Sequence, residues 1–240
     1  MKSLFKNLLR SIAKDFALGF AQFSLSRPAD SLRQELQRRA MVKSVDLIEE
    51  HMSEALFCTD KLQHLEYALS LKSEGLIAEF GVYKGTTINS IAQQCPTEKV
   101  YGFDAFEGLP EHWTGNRYSR ANFNRKGKPP KVAGNVELVI GWFHETLPTF
   151  LAQNPGPFGF VHIDCDIYSS TEQVFDLIAD RIVPGTIIVF DEFFNYHGFE
   201  LHEYKAFYEL IEANDLSFEF ISFSGQEVGV RIKGDKSSKT

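Results

Sequence analysis

Five short apolar runs, separated by segments long enough to form helices, constrain the fold of this chain more than any other feature of its sequence. The runs do not alternate apolar and polar residues, which is typical of strands whose two faces are both buried. Strands that alternate with helices predict a right-handed, doubly wound and mostly parallel sheet in an α/β fold. The five runs are GLIAEF (75–80), KVYGFD (99–104), VELVI (136–140), FGFVHID (158–164) and GTIIVFDE (185–192).

The two ends of the chain add a hairpin and a helical extension. SFEFISF (217–223) and EVGVRIK (227–233) flank the turn residues SGQ and predict an antiparallel C-terminal hairpin, which brings the sheet to seven strands. Residues 1–72 have mostly helical periodicity. We therefore expect a helical N-terminal extension over residues 1–72, an α/β domain over residues 73–233 and a disordered tail over residues 234–240.

The first 23 residues predict an amphipathic helix, because apolar side chains recur at spacings of three and four. Charged residues interrupt this apolar pattern, so neither a signal peptide nor a membrane span is expected. Packing against the chain's own domain or a second subunit is the favoured interpretation. Peripheral contact with a membrane surface is the alternative.

The net charge and the cysteine spacing indicate which kinds of binding partner and which cellular compartment suit this chain. The formal net charge is −7, and nucleic-acid binding relies on clustered Lys and Arg, so a nucleic-acid partner is not expected. The three cysteines, Cys58, Cys95 and Cys165, are odd in number and widely separated, which predicts neither a disulfide framework nor a zinc site. A small-molecule partner and a reducing cytoplasm fit these features.

Polar and glycine residues follow the first two runs, at the sheet edge where doubly wound folds bind ligands. In EFGVYKGTT, Gly81 allows a tight turn, Gly85 lets the next helix begin close to the strand, and Thr86 can cap that helix. Asp104 ends the second run, where a carboxylate can accept hydrogen bonds from both hydroxyls of a ribose. A turn with a purely structural role remains possible.

Glu79 distinguishes two kinds of nucleotide-like cofactor. A nicotinamide site would have the pattern G-x-G-x-x-G, with the helix N-terminus directed at a pyrophosphate. Here Glu79 stands where the first glycine of that pattern should be, and its charge would repel a pyrophosphate. It suits S-adenosylmethionine, which carries a sulfonium, an amino acid group and a ribose but no phosphate.

Four acidic residues follow the last two runs and predict a cation site. Asp164 and Asp166 lie in HIDCD, and Asp191 and Glu192 lie in FDEF. Carboxylates gathered at one sheet edge repel one another unless a cation lies between them, and oxygen ligands favour Mg²⁺, Mn²⁺ or Ca²⁺. Helix caps with salt bridges are one alternative. A metal-dependent glycosyltransferase using Asp-x-Asp is another, although it leaves Glu79 and Asp104 without a role.

Together these stretches resemble the class I S-adenosylmethionine-dependent methyltransferases of the macrocin O-methyltransferase type, which have a Rossmann-like fold. The resemblance rests on EFGVYKGTT, VYGFDAFEGLPEHW, GWFHETLP, FVHIDCDIYSST and PGTIIVFDEFFNYHGF, and covers roughly residues 75–233. It implies O-methylation of a sugar or polyhydroxylated natural product by a homodimer. The implied cofactor-binding residues are Glu79, Gly81, Gly85, Thr86, Asp104, Phe106, Gly141, Trp142, Phe143 and Asp164.

The resemblance also implies the metal ligands Asp164, Asp191 and Glu192 for Mg²⁺ or Mn²⁺. Glu192 departs from the family, in which many members have a second aspartate at this position. Asp164 is the expected proton acceptor, and His197 is the first substitute for it. His162 is expected to be a buried histidine with a backbone partner.

A basic loop between Trp113 and Val136 has no acidic residue. It is interpreted either as a solvated loop or as a lid that receives an anionic acceptor, with Trp113 and Tyr118 stacking on a ring of that acceptor. Its basic residues are Arg117, Arg120, Arg125, Lys126, Lys128 and Lys131.

Overall fold

A computed structural model of the chain describes Lys14, residues 28–115 and residues 118–235. The predicted amphipathic helix at the N-terminus lies outside the described residues, except for Lys14. Residues 234 and 235, the first two of the predicted tail, belong to the last strand, and the rest of the tail lies outside the described residues.

An eight-stranded sheet forms the centre of the molecule, in the order β1-β7-β8-β6-β5-β2-β3-β4. Only β8 runs antiparallel to its neighbours β6 and β7, so the mostly parallel sheet and the C-terminal hairpin are confirmed. The strands are β1 (Leu56–Phe57), β2 (Leu76–Phe80), β3 (Val100–Asp104), β4 (Val136–Ile140), β5 (Phe158–Ile163), β6 (Ile187–Phe190), β7 (Leu216–Phe223) and β8 (Val228–Asp235).

The sheet has one strand more than the seven expected. The additional strand β1 lies within the segment predicted to be mostly helical and pairs in parallel with β7, with Leu56 opposite Ser222 and Phe57 opposite Phe223. The ring of Phe57 packs against that of Phe223 at 5.3 Å between centroids. A strand of two residues has no periodicity of its own, so the sequence could not predict it.

Between residues 28 and 235, as far as the structure describes them, six helices and two short 3₁₀ turns surround the sheet. Large aromatic side chains, among them Phe80, Phe103 and Phe190, fill the core on one face, and smaller aliphatic ones such as Ile77 and Ile88 fill the other. The helices are α1 (Pro28–His51), α2 (Lys61–Ser70), α3 (Thr86–Gln94), α4 (Phe143–Gln153), α5 (Tyr168–Ile178) and α6 (Glu203–Ala213), and the 3₁₀ turns are Ala179–Arg181 and Phe199–Leu201.

The strand order reverses at β2, which places the expected ligand site. β2 pairs in parallel with β3 on one side and with β5 on the other, and the chain moves outward to β4 before it returns to β5. Glu79 of β2 thereby lies beside Gly102 of β3 and His162 of β5. Doubly wound sheets bind ligands at such a switch point, beyond the carboxyl ends of the strands.

The N-terminal helix α1 holds the loop that follows β6. Asn195 donates its backbone N–H to the Ser44 hydroxyl at 2.8 Å, and its carbonyl accepts a hydrogen bond from Gln37 at 2.8 Å. Lys43 forms an ion pair with Glu200 farther along the same segment. Among the described residues, no helix combines the length and apolar content that a membrane crossing requires.

Candidate active site

A cavity of about 750 Å³ lies beyond the carboxyl ends of β2, β3 and β5. This volume is within the range of small-molecule and cofactor sites. Seven of the predicted cofactor-binding residues line it, namely Gly81, Thr86, Asp104, Gly141, Trp142, Phe143 and Asp164. Glu79, Gly85 and Phe106 are not among the lining residues. Lys84, Ala105 and Gln173 also line the cavity and were not predicted to contact the cofactor.

Gly81 brings the ends of β2 and β5 into close contact. Its φ of 96° is in the left-handed region, and a Cβ added here would lie 1.7 Å from the carbonyl oxygen of Asp164. The backbone N–H of Asp164 donates to the carbonyl of Phe80 at 2.9 Å, which fixes the two strand ends together. Glycine is therefore required at position 81, because no other residue lets the backbone approach Asp164 this closely.

The carboxylate of Asp104 joins the loops that follow β2 and β3. It accepts hydrogen bonds from the backbone N–H groups of Val82 at 2.9 Å, Tyr83 at 2.7 Å and Phe106 at 2.6 Å. A carboxylate has about four lone-pair sites, so this group retains capacity for a hydroxyl of a ligand in the cavity. Asp104 thus shapes the cavity wall and also faces into the cavity.

Helix α3 begins without the side-chain cap expected from Thr86. The N-cap is Gly85, with φ 77° and no side-chain hydrogen bond, and Thr86 is already the first residue of the helix. The expectation that Thr86 caps the helix was therefore wrong. The left-handed conformation of Gly85 turns the chain into α3 instead.

Glu79 and His162 form a buried pair behind the cavity wall. His162 Nδ1 lies 3.1 Å from Glu79 Oε2, so the partner of this histidine is a carboxyl group rather than the backbone group that we expected. Burial raises the pKa of Glu79 and lowers the pKa of His162, since both side chains are about 1% exposed. Toward the sheet edge, His162 Nε2 lies 3.8 Å from Asp191 Oδ1.

The four predicted acids come together at the ends of β5 and β6, and a fifth joins them. Two overlapping sets of possible ligand atoms lie within 4.8 Å of one another: His162, Asp164 and Asp191, and Asp164, Asp166 and Glu192. The fifth acid is Glu203 at the start of α6, which is fully buried and accepts a hydrogen bond from the backbone N–H of Glu192 at 3.1 Å.

Lys61 of α2 contributes a cation to this acidic site. Its ammonium group forms an ion pair with Asp191 and lies 4.0 Å from Asp164 Oδ2. Within the described part of the chain, it is the one ammonium or guanidinium group within 4.0 Å of these carboxylates. Burial alone would lower the pKa of Lys61, but the charges of Asp164 and Asp191 raise it above the usual value. No sequence signal connected Lys61 with acids more than 100 positions away.

The chemistry of these donors fits a divalent cation. Burial raises the pKa values of Asp164, Glu192 and Glu203 well above the usual range, with neighbouring acids adding to the effect. Glu192 Oε2 and Glu203 Oε1 are buried and have no hydrogen-bond partner among the described residues. Oxygen donors with excess negative charge suit Mg²⁺ or Mn²⁺, and one ammonium group cannot neutralise five acids.

A pH dependence of stability follows from this cluster. Burial and the charge of Asp191 raise the pKa of Asp166 to about 7, whereas an aspartate in the unfolded chain titrates near its ordinary pKa of 3.8. Between those values the folded protein binds more protons, so the free energy of unfolding of the metal-free protein should fall as the pH rises. The slope is about 1.4 kcal/mol per pH unit for each proton of difference.

Urea unfolding between about pH 5 and about pH 8 measures this dependence, with chelator in one series and Mg²⁺ in the other. We expect the loss of stability in the chelated series and a smaller loss with Mg²⁺, because the ion favours the ionised carboxylates. A metal-free protein that becomes more stable over this range would contradict the ionisation described here.

Four further predicted residues, Asp191, Glu192, His197 and Trp113, are not among the lining residues of the cavity. His197, the substitute base, is exposed and is not a lining residue. Trp113 is 4% exposed and packs against Tyr118 and His202, with centroids at 5.7 and 5.8 Å. Trp113 therefore anchors the basic loop, and its burial does not support the interpretation in which its ring stacks on an acceptor.

Of the five bases of the basic loop that the structure describes, one contributes to the cavity. Arg120 is a lining residue, whereas Arg117 lies outside the described residues. The loop is held to the domain by hydrogen bonds from the backbone N–H groups of Arg125 and Gly127 to the carbonyl of Phe106, at 3.0 and 2.9 Å.

Comparison with known proteins identifies the domain that carries the cavity. Residues 78–193 match the model of a family described as a methyltransferase domain. A curated relative, the 8-demethyl-8-(2,3-dimethoxy-alpha-L-rhamnosyl)-tetracenomycin-C 4'-O-methyltransferase of Streptomyces olivaceus, is 26% identical over 160 residues. The match covers 56% of this chain and 59% of that protein, so the chain spans less than two thirds of the relative's length.

Solved structures show the same fold. The crystal structure of the calicheamicin methyltransferase CalS11 has a TM-score of 0.58 at 22% identity and covers 71% of this chain and 77% of that one. The structure of the O-methyltransferase NovP has a TM-score of 0.57 at 18% identity and covers 72% and 79%. Residues 78–193, which carry the cavity, are thus similar to a methyltransferase domain, and the chain shares its fold with solved methyltransferases.

Proposed function

We propose that this protein transfers the methyl group of S-adenosylmethionine to a hydroxyl group of a small molecule, with the assistance of a divalent metal ion. The observation that carries this proposal is one continuous cavity. Gly81 and Asp104 line it at the ends of β2 and β3, and Asp164 and Asp166 line it at the end of β5. A cofactor site and an acidic site therefore adjoin, as a metal-assisted transfer between donor and acceptor needs.

The cofactor is proposed to lie between the glycine turn and the loop after β4. Asp104 would accept hydrogen bonds from the ribose hydroxyls, and Gly141, Trp142 and Phe143 would border the adenine. Glu79, Gly85 and Phe106 stand behind the lining residues, so we propose that they shape the turns rather than touch the cofactor. Glu79 would do so through its hydrogen bond with His162.

Asp164, Asp191 and Glu192 are the proposed ligands of Mg²⁺ or Mn²⁺. When bound there, such an ion would lower the pKa of an acceptor hydroxyl that it contacts. Asp166 is our choice of proton acceptor beside Asp164, because its carboxyl group lines the same cavity. His197 is exposed and does not line the cavity, which makes it a weaker choice of proton acceptor.

A sugar hydroxyl is the proposed acceptor group. The name of the tetracenomycin relative places its methyl group at the 4'-oxygen of a rhamnosyl unit. The cavity has polar and charged lining residues, including Lys84, Glu111 and Arg120, that can donate to or accept from several hydroxyls. A homodimer in the cytoplasm also belongs to the proposal. The methyltransferase relatives give no support to the glycosyltransferase alternative.

Transfer of a labelled methyl group tests this function. The protein would be incubated with methyl-labelled S-adenosylmethionine and a panel of hydroxylated acceptors, beginning with rhamnosyl glycosides. We expect label on a sugar oxygen of at least one acceptor. A protein that binds the cofactor but labels nothing in a broad panel would favour a non-catalytic cofactor-binding role.

A further inference from the structure

Lys61 lies outside the matched methyltransferase domain but reaches its acidic site. It is the first residue of α2, and its ammonium group contacts Asp191 and lies 4.0 Å from Asp164. Both acids are proposed metal ligands, and both belong to the set of possible ligand atoms that includes His162. The lysine therefore stands between two carboxylates that a divalent ion would also need.

Hydrogen bonds hold the backbone around Lys61 in place. The ammonium group can therefore move only by a change in the side-chain conformation. The Asp60 carboxylate caps α2 by accepting from the backbone N–H groups of Leu62 and Gln63, each at 3.0 Å. Just before them, the backbone N–H of Cys58 donates to the carbonyl of Phe223 at 2.8 Å. The Lys61 side chain is 37% exposed, which gives its long stem a route toward solvent.

Electrostatics make the ammonium group and the divalent ion competitors. A cation shared by Asp164 and Asp191 offsets their mutual repulsion when no metal is bound. A divalent ion at the same oxygens would be repelled by the ammonium group that contacts Asp191, and partial burial would strengthen this repulsion. An ammonium group and a divalent ion at the same Asp191 oxygen would repel each other, so the binding of one disfavours the binding of the other.

We propose that Lys61 is a built-in counter-ion of the acidic site, which holds Asp164 and Asp191 together in the metal-free protein and which a divalent ion must displace. This inference rests on the metal binding of the proposed function. Lys61 thereby makes α2 part of the active site. Its charge also lowers the affinity of the site for a divalent ion below that of the same carboxylates without the lysine.

The test is Mn²⁺ binding in the absence of cofactor, followed by the electron paramagnetic resonance signal of free Mn²⁺. Lys61→Met removes the charge and keeps the length of the side chain. Lys61→Arg keeps the charge. Lys72→Met is the matched control, because Lys72 forms its ion pair with Glu98 at 2.7 Å, elsewhere in the fold.

Lys61→Met should bind Mn²⁺ about tenfold more tightly than the wild type, since a repulsive charge beside the ligand oxygens is removed. Lys61→Arg and Lys72→Met should bind like the wild type. Thermal unfolding of metal-free Lys61→Met should show a lower midpoint, which added Mn²⁺ restores.

Equal or weaker Mn²⁺ binding by Lys61→Met overturns the counter-ion role while leaving the metal site of the proposed function intact. Tighter binding by Lys61→Arg also overturns it, because the effect would then come from packing rather than charge. If neither the wild type nor Lys61→Met binds Mn²⁺, the inference and the metal assistance of the proposed function both fail.

Discussion

Replacing Asp164 by asparagine is expected to lower kcat for methyl transfer by about 10²-fold to 10⁴-fold, the range typical for loss of a positioned acid–base or metal-binding group. Asp164 lines the cavity, belongs to both sets of possible metal ligands and lies 4.0 Å from Lys61. The amide has nearly the same shape but no charge. The substitution should therefore weaken Mn²⁺ binding and methyl transfer together.

Steady-state kinetics and Mn²⁺ titration measure these effects. Asp180→Asn is the matched control, because Asp180 is exposed on a 3₁₀ turn away from the cavity and should keep full activity. If Asp164→Asn retained full methyl transfer that a chelator does not affect, Asp164 would be neither a metal ligand nor a proton acceptor in this reaction.

Gly81→Ala is expected to destabilise the domain by more than about 4 kcal/mol, a range reached only by severe local disruption. The new methyl group would meet the Asp164 carbonyl oxygen at 1.7 Å, and that obstacle is backbone rather than a flexible side chain. The positive φ of 96° adds strain for any residue with a Cβ. Relief would require β2 and β5 to separate at the edge of the cavity.

Urea unfolding of Gly81→Ala and Gly134→Ala gives the matched comparison. A Cβ on Gly134 would meet no atom within 4 Å, so that variant should remain within about 0.5 kcal/mol of the wild type. Any Gly81→Ala protein that does fold should bind the cofactor poorly. Wild-type stability of Gly81→Ala would show that the two strand ends do not approach as closely as described.

The sequence predicted the parts of the fold that depend on local periodicity. All seven expected strands are present within about two residues of the predicted ends, because buried parallel strands are apolar throughout and are bounded by helices. Asp104 and Asp164 could be placed at the cavity because parallel strands end at the same edge of a sheet. Local pattern and topology were sufficient for both.

The remaining features depend on contacts between distant parts of the chain. Lys61 and Glu203 reach the acidic site from helices on either side of the matched domain, and neither stands in a motif. The pairing of Glu79 with His162 follows from the register of β2 and β5, in which these two residues lie opposite each other. Register between strands separated by 83 positions is a tertiary property that no single-chain pattern encodes.

A labelled-methyl assay with chelator decides whether the protein performs metal-assisted methyl transfer from S-adenosylmethionine to a sugar hydroxyl. The protein would be assayed with a rhamnosyl glycoside as it stands, after removal of divalent ions, and after Mg²⁺ is restored. We expect label on a sugar oxygen, its loss with chelator and its recovery with Mg²⁺. Methyl transfer that proceeds at an unchanged rate in chelator, or label that appears only on nitrogen, would contradict this expectation.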